Sequence, residues 1–267
     1  MRFTVLGAGG YIGSHLVARL RADGYDVLTP QRDAPLPREP GHVINAIGVA
    51  SDFRSRPFDT VRAHVAVLER YLRDETWESF LFLSSTRVYA EAASGDEDAA
   101  LVVRPELPDH LYNITKIAGE SLCLTLPNPK LRVVRLANVY GDDAGTETFI
   151  ADVLEAARAG AVVFRTARAS EKDYVALQDV LDVLPRIAVS GQSRLYNVAS
   201  GRNVSAGALA DALQRYGSCR CTFAEDASTV RFPPIEITRV TREFDFRPRQ
   251  LLDCLPDLLA AKADASL

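Results

Sequence analysis

"VLGAGGYIGSHLVARL", Val5 to Leu20, is the stretch on which the fold turns. It opens on the end of a short apolar run, residues 2–6, that reads as a buried strand. After Gly10 the residues Ile12, Leu16, Val17 and Leu20 recur at helical spacing and define one apolar face. Three glycines, Gly7, Gly10 and Gly13, therefore sit where a first strand passes directly into a helix. In that context Gly7 allows a tight turn, Gly10 lets the backbone approach a pyrophosphate, and Gly13 lets the helix pack closely on the strand. The free N–H groups and partial positive charge of the helix N-terminus favour an anion there. Taken alone, the triplet also fits a loop that is merely short of side chains.

The same alternation continues outward. "YDVLTP" and "HVINAIG" read as strands, "FDTVRAHVAVLERYL" as an amphipathic helix, and "SFLFLSS" as a strand. "LYNITKIAGESLCLTL" is a helix and "LRVVRL" a strand. Strands alternating with helices predict a parallel sheet covered on both faces. Beyond about residue 141 the regularity weakens. Helices are expected at 146–159 and 177–189, strands near 161–165 and 173–176, a strand at "RLYNVAS" and a helix at "SAGALADALQRY". Residues 1–145 are assigned to a dinucleotide-binding domain and 146–267 mainly to a smaller substrate lobe. The two are interleaved, with segments of about 161–198 returning to the sheet. The acidic, proline-marked stretch 91–109 reads as a long surface loop.

Bulk properties narrow the functional classes. The 267 residues carry a formal charge of −4, with 47% hydrophobic and 25% charged residues. That balance argues against nucleic acid as a partner. No apolar run approaches the ~20 residues of a membrane span, and no signal peptide is read at the N-terminus. Cytoplasmic location is the expectation. Cys123, Cys219, Cys221 and Cys254 match no zinc pattern, so they are read as plain thiols and no metal is expected.

Two further motifs carry chemistry. In "LYNITK", Tyr112 and Lys116 are four residues apart and share a helix face. A phenol is a poor base near neutrality, and an adjacent ammonium lowers its pKa, so the pair can exchange a proton with a hydroxyl or ketone. "FLSSTRVYA" ends a strand at the edge where open parallel sheets bind ligands, and a hydroxyl there can hold the reacting oxygen.

With these residues in hand, the Gly-x-x-Gly-x-x-Gly spacing and the Tyr-x-x-x-Lys pair resemble the extended branch of the short-chain dehydrogenase/reductase superfamily, the NAD-dependent epimerase/dehydratase family. The resemblance implies an α/β, Rossmann-like doubly wound parallel sheet with a small interleaved C-terminal substrate lobe. Counted back from Val88-Tyr89 in the family's "SSxxVY", Ser85 is the implied catalytic serine, with its neighbour Ser84 as fallback. Tyr112 would transfer the proton, while Lys116 would tune it and hold the nicotinamide ribose. The implied cofactor contacts are Gly7, Gly10, Tyr11, Ile12, Gly13, Gln31, Arg32, Lys116 and the segment Asn45, Ala46 and Ile47 of "INAIG". Those to substrate are Thr86, Asn138 in "VRLANVYG", Lys172 in "EKDYVALQDV" and Arg231 before "FPP". For Asn138, Lys172 and Arg231 a purely structural role is the alternative.

The sequence also departs from the family. Gln31 and Arg32 stand where members that favour NAD often carry Asp, so NADP(H) is slightly favoured over NAD(H). Thr86 and Arg87 replace the Asp-Glu pair of sugar dehydratases, which disfavours 4,6-dehydration. His64 stands where Asn is frequent, as a proton relay or as a structural residue. Residues 33–41 leave little room for the usual third strand and helix. The implied activity is that of an NAD(P)-dependent ketoreductase or epimerase on a nucleotide-activated sugar. The alternative is a non-catalytic NAD(P)-binding sensor or scaffold of the same fold. A homodimer through helices 57–73 and 110–126 is also implied.

Overall fold

Strand β1 (Arg2–Leu6) is an inner strand, buried from Phe3 to Leu6, and it pairs in parallel on both sides. The computed structural model describes residues 1–49, 52–141 and 148–261. In chain order α1 (Tyr11–Ala22), β2 (Asp26–Leu28), β3 (His42–Asn45) and α2 (Pro57–Val61) come first. A π-helical segment (Arg62–Ala66), α3 (Val67–Leu72), β4 (Ser79–Ser85) and a 3-10 turn (Thr86–Tyr89) follow, then α4 (His110–Thr125) and β5 (Leu131–Leu136). The remainder is β6 (Asn138–Tyr140), α5 (Phe149–Arg158), β7 (Ala161–Thr166), β8 (Glu171–Ala176), α6 (Leu177–Ser190), β9 (Leu195–Val198), β10 (Asn203–Ser205), α7 (Ala206–Gly217), β11 (Arg220–Ser228), α8 (Thr238–Phe244) and α9 (Leu251–Ala260).

Six strands form the main sheet in the order β2-β1-β3-β4-β5-β9, all parallel. The period-2 geometry of β4 divides its side chains cleanly between two layers. Leu81 and Leu83 join Leu16 and Leu20 of α1 and Val180 and Leu184 of α6 on one face. Phe80 and Phe82 meet Leu68 of α3 and Cys123 of α4 on the other. The chain leaves β1 toward β2 and returns to β3 on the opposite side. This reversal opens a crevice at the C-terminal ends of β1 and β3, the place where doubly wound sheets take ligands. No described residue between 29 and 41 is in a strand, in keeping with the short segment noted in the sequence.

Of the stretch 161–198 expected to return to this sheet, β9 does so and α6 covers its face, whereas β7 and β8 pair elsewhere. β7 pairs with β11, and β8 lies between β10 and β6. The reason lies in patterning. β9 is buried along its length, as a strand of a parallel sheet covered on both faces requires, but β7 alternates, with Val162 and Phe164 buried and Val163 exposed. The inward residues of β7 and β8 build a second core with Ile150 and Leu154 of α5, Leu209 and Leu213 of α7 and Leu255 of α9. No described helix is long and apolar enough to cross a membrane.

Candidate active site

The glycine turn has the geometry a dinucleotide needs. Gly7 has φ +79°, and a Cβ there would lie 2.9 Å from the backbone of Ala46 and Ile47. A Cβ on Gly13 would lie 2.2 Å from the Gly7 carbonyl oxygen, so α1 can pack on the turn only with glycine there. Gly10 starts α1 with no side chain capping it and is itself exposed, as is Gly9 beside it. The first N–H groups of α1 are thus left for an external acceptor. Tyr11 and Ile12 are half-buried in the first turn. Across the crevice, Asn45 is fully buried. Its Oδ1 accepts from the Ile47 N–H at 3.1 Å, and Ala46 N–H donates to Leu6 at 2.9 Å. Asn45 Nδ2 is buried and has no hydrogen-bond partner among the described residues. These residues fit a bound dinucleotide. Gln31 and Arg32 lie exposed just beyond β2, and Arg32 makes no ion pair among the described residues. Its neighbour Asp33 is paired with Arg62 at 2.8 Å.

The structure brings Ser85, Tyr112 and Lys116 together. The Ser85 hydroxyl lies close enough to the Tyr112 phenol to act on its pKa, and Ser85 Oγ accepts from the Arg87 N–H at 3.2 Å. Lys116, one helical turn beyond Tyr112, is buried, with its ammonium 5.1 Å from the Phe82 ring and 5.9 Å from that of Tyr112. It donates to the Leu83 carbonyl at 2.8 Å, and burial lowers its pKa to about 8. The expectation that Lys116 pulls the Tyr112 phenol down needs correction. Burial pushes this phenol up, and the opposing pulls come from the Ser85 hydroxyl and the Arg87 guanidinium. The Lys116 ammonium is turned to Leu83 instead.

Ser84, the fallback, faces away from Tyr112. Its side chain points to the opposite face of β4 and donates to Glu120. Glu120 in turn takes a two-pronged contact from Arg135, with Nη2 to Oε2 at 2.6 Å. Arg135 also donates to the Tyr89 hydroxyl at 2.6 Å, and Tyr89 donates to Asn197 at 2.9 Å. This buried network ties β4, α4, β5 and β9 together directly beneath the site.

His64 is wholly buried, and both ring nitrogens are engaged. Nε2 accepts from the Val49 N–H at 3.2 Å, which leaves Nδ1 as the donor to Thr115 Oγ1 at 2.9 Å. Thr115 passes its own proton to the Tyr112 carbonyl at 3.0 Å. Burial drives the imidazole pKa down to about 2, so the ring is neutral and relays no proton. It pins the segment after β3 to α4 and packs edge-on against Tyr112 at 5.2 Å. The helix expected over this region is interrupted by the π turn that carries His64. Gly119 permits the approach, since a Cβ there would be 2.9 Å from the His64 carbonyl and 2.8 Å from the Phe82 ring.

The substrate-side candidates gather on the small three-stranded sheet. Asn138 pairs in register with Tyr174, next to Asp173, and its Nδ2 donates to the Asp173 carbonyl at 2.8 Å. Arg231 is exposed and bridges by backbone to Glu171, the neighbour of Lys172. Thr86 is buried on the turn after Ser85. Three residues in this region were missed as site residues. Phe53 packs 5.3 Å from Tyr112, and the guanidinium groups of Arg54 and Arg87 lie over its ring at 4.7 and 5.2 Å. Arg87 is also 5.8 Å from the Tyr112 ring centroid. The signal for Arg87 was its place in the same motif as Ser85, where it was read only as a lost carboxylate. "DFRSR" carried no signal that would place it over α4.

A profile of the NAD dependent epimerase/dehydratase family matches residues 3–199. No curated protein sequence matches the chain. Among solved structures, MoeE5 in complex with UDP-glucose and NAD is similar at 22% identity and TM-score 0.80, covering 99% of both chains. RMD from Pseudomonas aeruginosa complexed with NADPH gives 23% identity, TM-score 0.75 and 97% coverage of both. UDP-glucose 4-epimerase from Thermotoga maritima gives 18%, 0.78 and 99% of both. These likenesses cover 97–99% of the chain and agree with its parallel-sheet fold. With the profile spanning most of the sequence, the chain belongs to the NAD dependent epimerase/dehydratase family.

Proposed function

We propose that this protein is an NAD(P)-dependent ketoreductase or epimerase acting on a nucleotide-activated sugar. The observation that carries the reading is the meeting of Ser85, at the end of β4, with Tyr112 and Lys116 on one face of α4, the ammonium 5.9 Å from the Tyr112 ring. Residues 1–145 would hold the cofactor, through Gly7, Gly10, Tyr11, Ile12, Gly13 and Asn45 to Ile47. Lys172 and Arg231 of the rest of the chain, with Thr86 and Asn138 from the first part, would hold most of the sugar nucleotide. A nicotinamide bound there would give or take a hydride at a sugar carbon.

The protein's own part is proton transfer. Tyr112, raised by burial, is a neutral phenol and so is poised to donate to a carbonyl oxygen held by Ser85. That state favours the reductive direction, which a ketoreductase needs in each turnover and an epimerase in its second half. Lys116, still protonated at neutral pH, would reach the cofactor ribose from beneath. Exposed Arg32 supports NADP(H), because a guanidinium can pair with a 2′-phosphate. The absence of a carboxylate at positions 86 and 87 argues against 4,6-dehydration. Exposed Phe58 and Val61 on the helix at 57–72 support a homodimer through that helix and α4. The expected location is the cytoplasm.

The test has two readouts. Mass analysis of nucleotide released from the purified protein identifies the cofactor. Stoichiometric retention of NAD⁺ or NADP⁺ favours an epimerase, and free exchange of NADPH favours a ketoreductase. Tyr112→Phe should lower turnover by roughly 10²-fold or more while sparing cofactor binding. Unchanged turnover in that variant defeats the mechanism.

A further inference from the structure

Three cations converge beside the Tyr112–Ser85 pair, and the chain supplies too little negative charge to match them. Arg54 and Arg87 stack on Phe53. Lys172 enters from β8, its ammonium 5.8 Å from the Phe149 ring, and its pKa is lowered by burial and by the charges of Arg87 and Arg54. The one carboxylate in ion-pair range of this group among the described residues is Asp109. Arg54 takes both of its oxygens, and Arg87 Nη2 is left at 3.7 Å. Lys172 has no carboxylate partner among the described residues. Arg87 Nε is buried and has no acceptor among the described residues. A buried guanidinium donor without a partner is costly and marks where a ligand oxygen belongs.

Position narrows the ligand. Arg87 is two residues past Ser85 on one tight turn, and its guanidinium overlies the Tyr112 ring. With its face stacked on aromatic rings, its N–H edge is what remains for in-plane hydrogen bonds, the geometry that suits a carboxylate. Tyr112 and Ser85 mark the reacting oxygen, so Arg87 reads a substituent on the neighbouring ring carbon. The diphosphate of a sugar nucleotide hangs from the anomeric carbon, across the ring from a carbinol at C4. In a pyranuronate the carboxylate is carried on C5, next to that carbinol.

We propose that Arg87, backed by Arg54, receives the carboxylate of a uronic acid, so that the substrate is a nucleoside-diphosphate uronate reacting at C4. The inference rests on the nucleotide-sugar reading above and deepens it. A neutral hexose would leave Arg87 Nε without an acceptor. An acidic residue at position 87, as in the sugar dehydratases, would repel the same carboxylate.

Calorimetric titration of the full chain with glucose and glucuronate conjugates of UDP, dTDP and GDP tests this. For the nucleotide the protein accepts, the glucuronate should bind about tenfold to a hundredfold tighter than the glucose conjugate. Arg87→Met should erase that preference while moving the glucose affinity by no more than about threefold. Arg87→Lys should keep part of it, because charge survives without the fork. Equal wild-type affinity for the two sugars overturns the proposal and leaves the nucleotide-sugar reading standing. Preference retained in Arg87→Met also overturns it. Binding of no conjugate in any series overturns both. The wild-type pair decides the matter even if the methionine variant fails to fold.

Discussion

Replacing Arg135 by Met would test the buried network under the site. Arg135 and Glu120 are 5% and 3% exposed, and the guanidinium holds both carboxylate oxygens, at 3.1 Å from Nε and 2.6 Å from Nη2. Methionine fills much of the same volume but leaves Glu120 charged among β4, α4 and β5, with only Ser84 to donate to it. Breaking such a pair by removing one partner costs about 3–5 kcal/mol. At roughly 2–4 °C per kcal/mol for a chain of this size, the melting temperature should fall by about 6–20 °C. Removing both charges, in Glu120→Leu with Arg135→Met, should recover part of the loss, because neither member of the pair is left unmatched while buried Lys116 loses the favourable charge of Glu120. Urea titration is the assay, followed by the fluorescence of the single tryptophan, Trp77, which is 7% exposed and packs against Phe80. A loss under about 1 kcal/mol for Arg135→Met would refute the reasoning. So would a double variant that loses as much as the two single variants combined.

Two more outcomes are expected. His64→Phe keeps the ring but strips Val49 and Thr115 of their partner, costing about 1–3 kcal/mol near neutral pH. Because the His64 pKa falls to about 2 in the folded protein, its contribution is complete above its unfolded value near ~6.5 and is lost as pH falls from there toward 2. Asp173, raised to about 6 by burial, opposes this slope over part of the range, so the wild-type and variant curves must be compared. The pH slope of stability between 6 and 4 should be shallower in His64→Phe by nearly one proton, and an identical slope would exclude a neutral buried imidazole. Ser84 and Ser85 should separate by phenotype. Ser85→Ala should lower turnover with little change in stability, whereas Ser84→Ala should lower stability and spare turnover, and the reverse pattern would reassign the serine.

Tyr112, Lys116 and Ser85 were legible because they sit four apart on a helix or at the end of a strand, where local spacing dictates what shares a face. Ser84 and Ser85 differ by a single position, and the alternation of β4 sends one to Glu120 and the other to Tyr112. The helix through His64 was readable, but its π turn was not, because that turn depends on Gly119 from another helix admitting the His64 carbonyl.

The sequence by itself determined the parallel sheet, the glycine turn and the face of α4 that carries Tyr112 and Lys116, since each follows from short-range periodicity and from backbone freedom at Gly7 and Gly13. Tertiary structure alone decided where β7 and β8 pair, that His64 is a neutral tether, and that Arg54, Arg87 and Lys172 meet. Those outcomes depend on residues far apart in the chain arriving in one low-dielectric space. There burial sets which groups hold charge and which need a partner from outside.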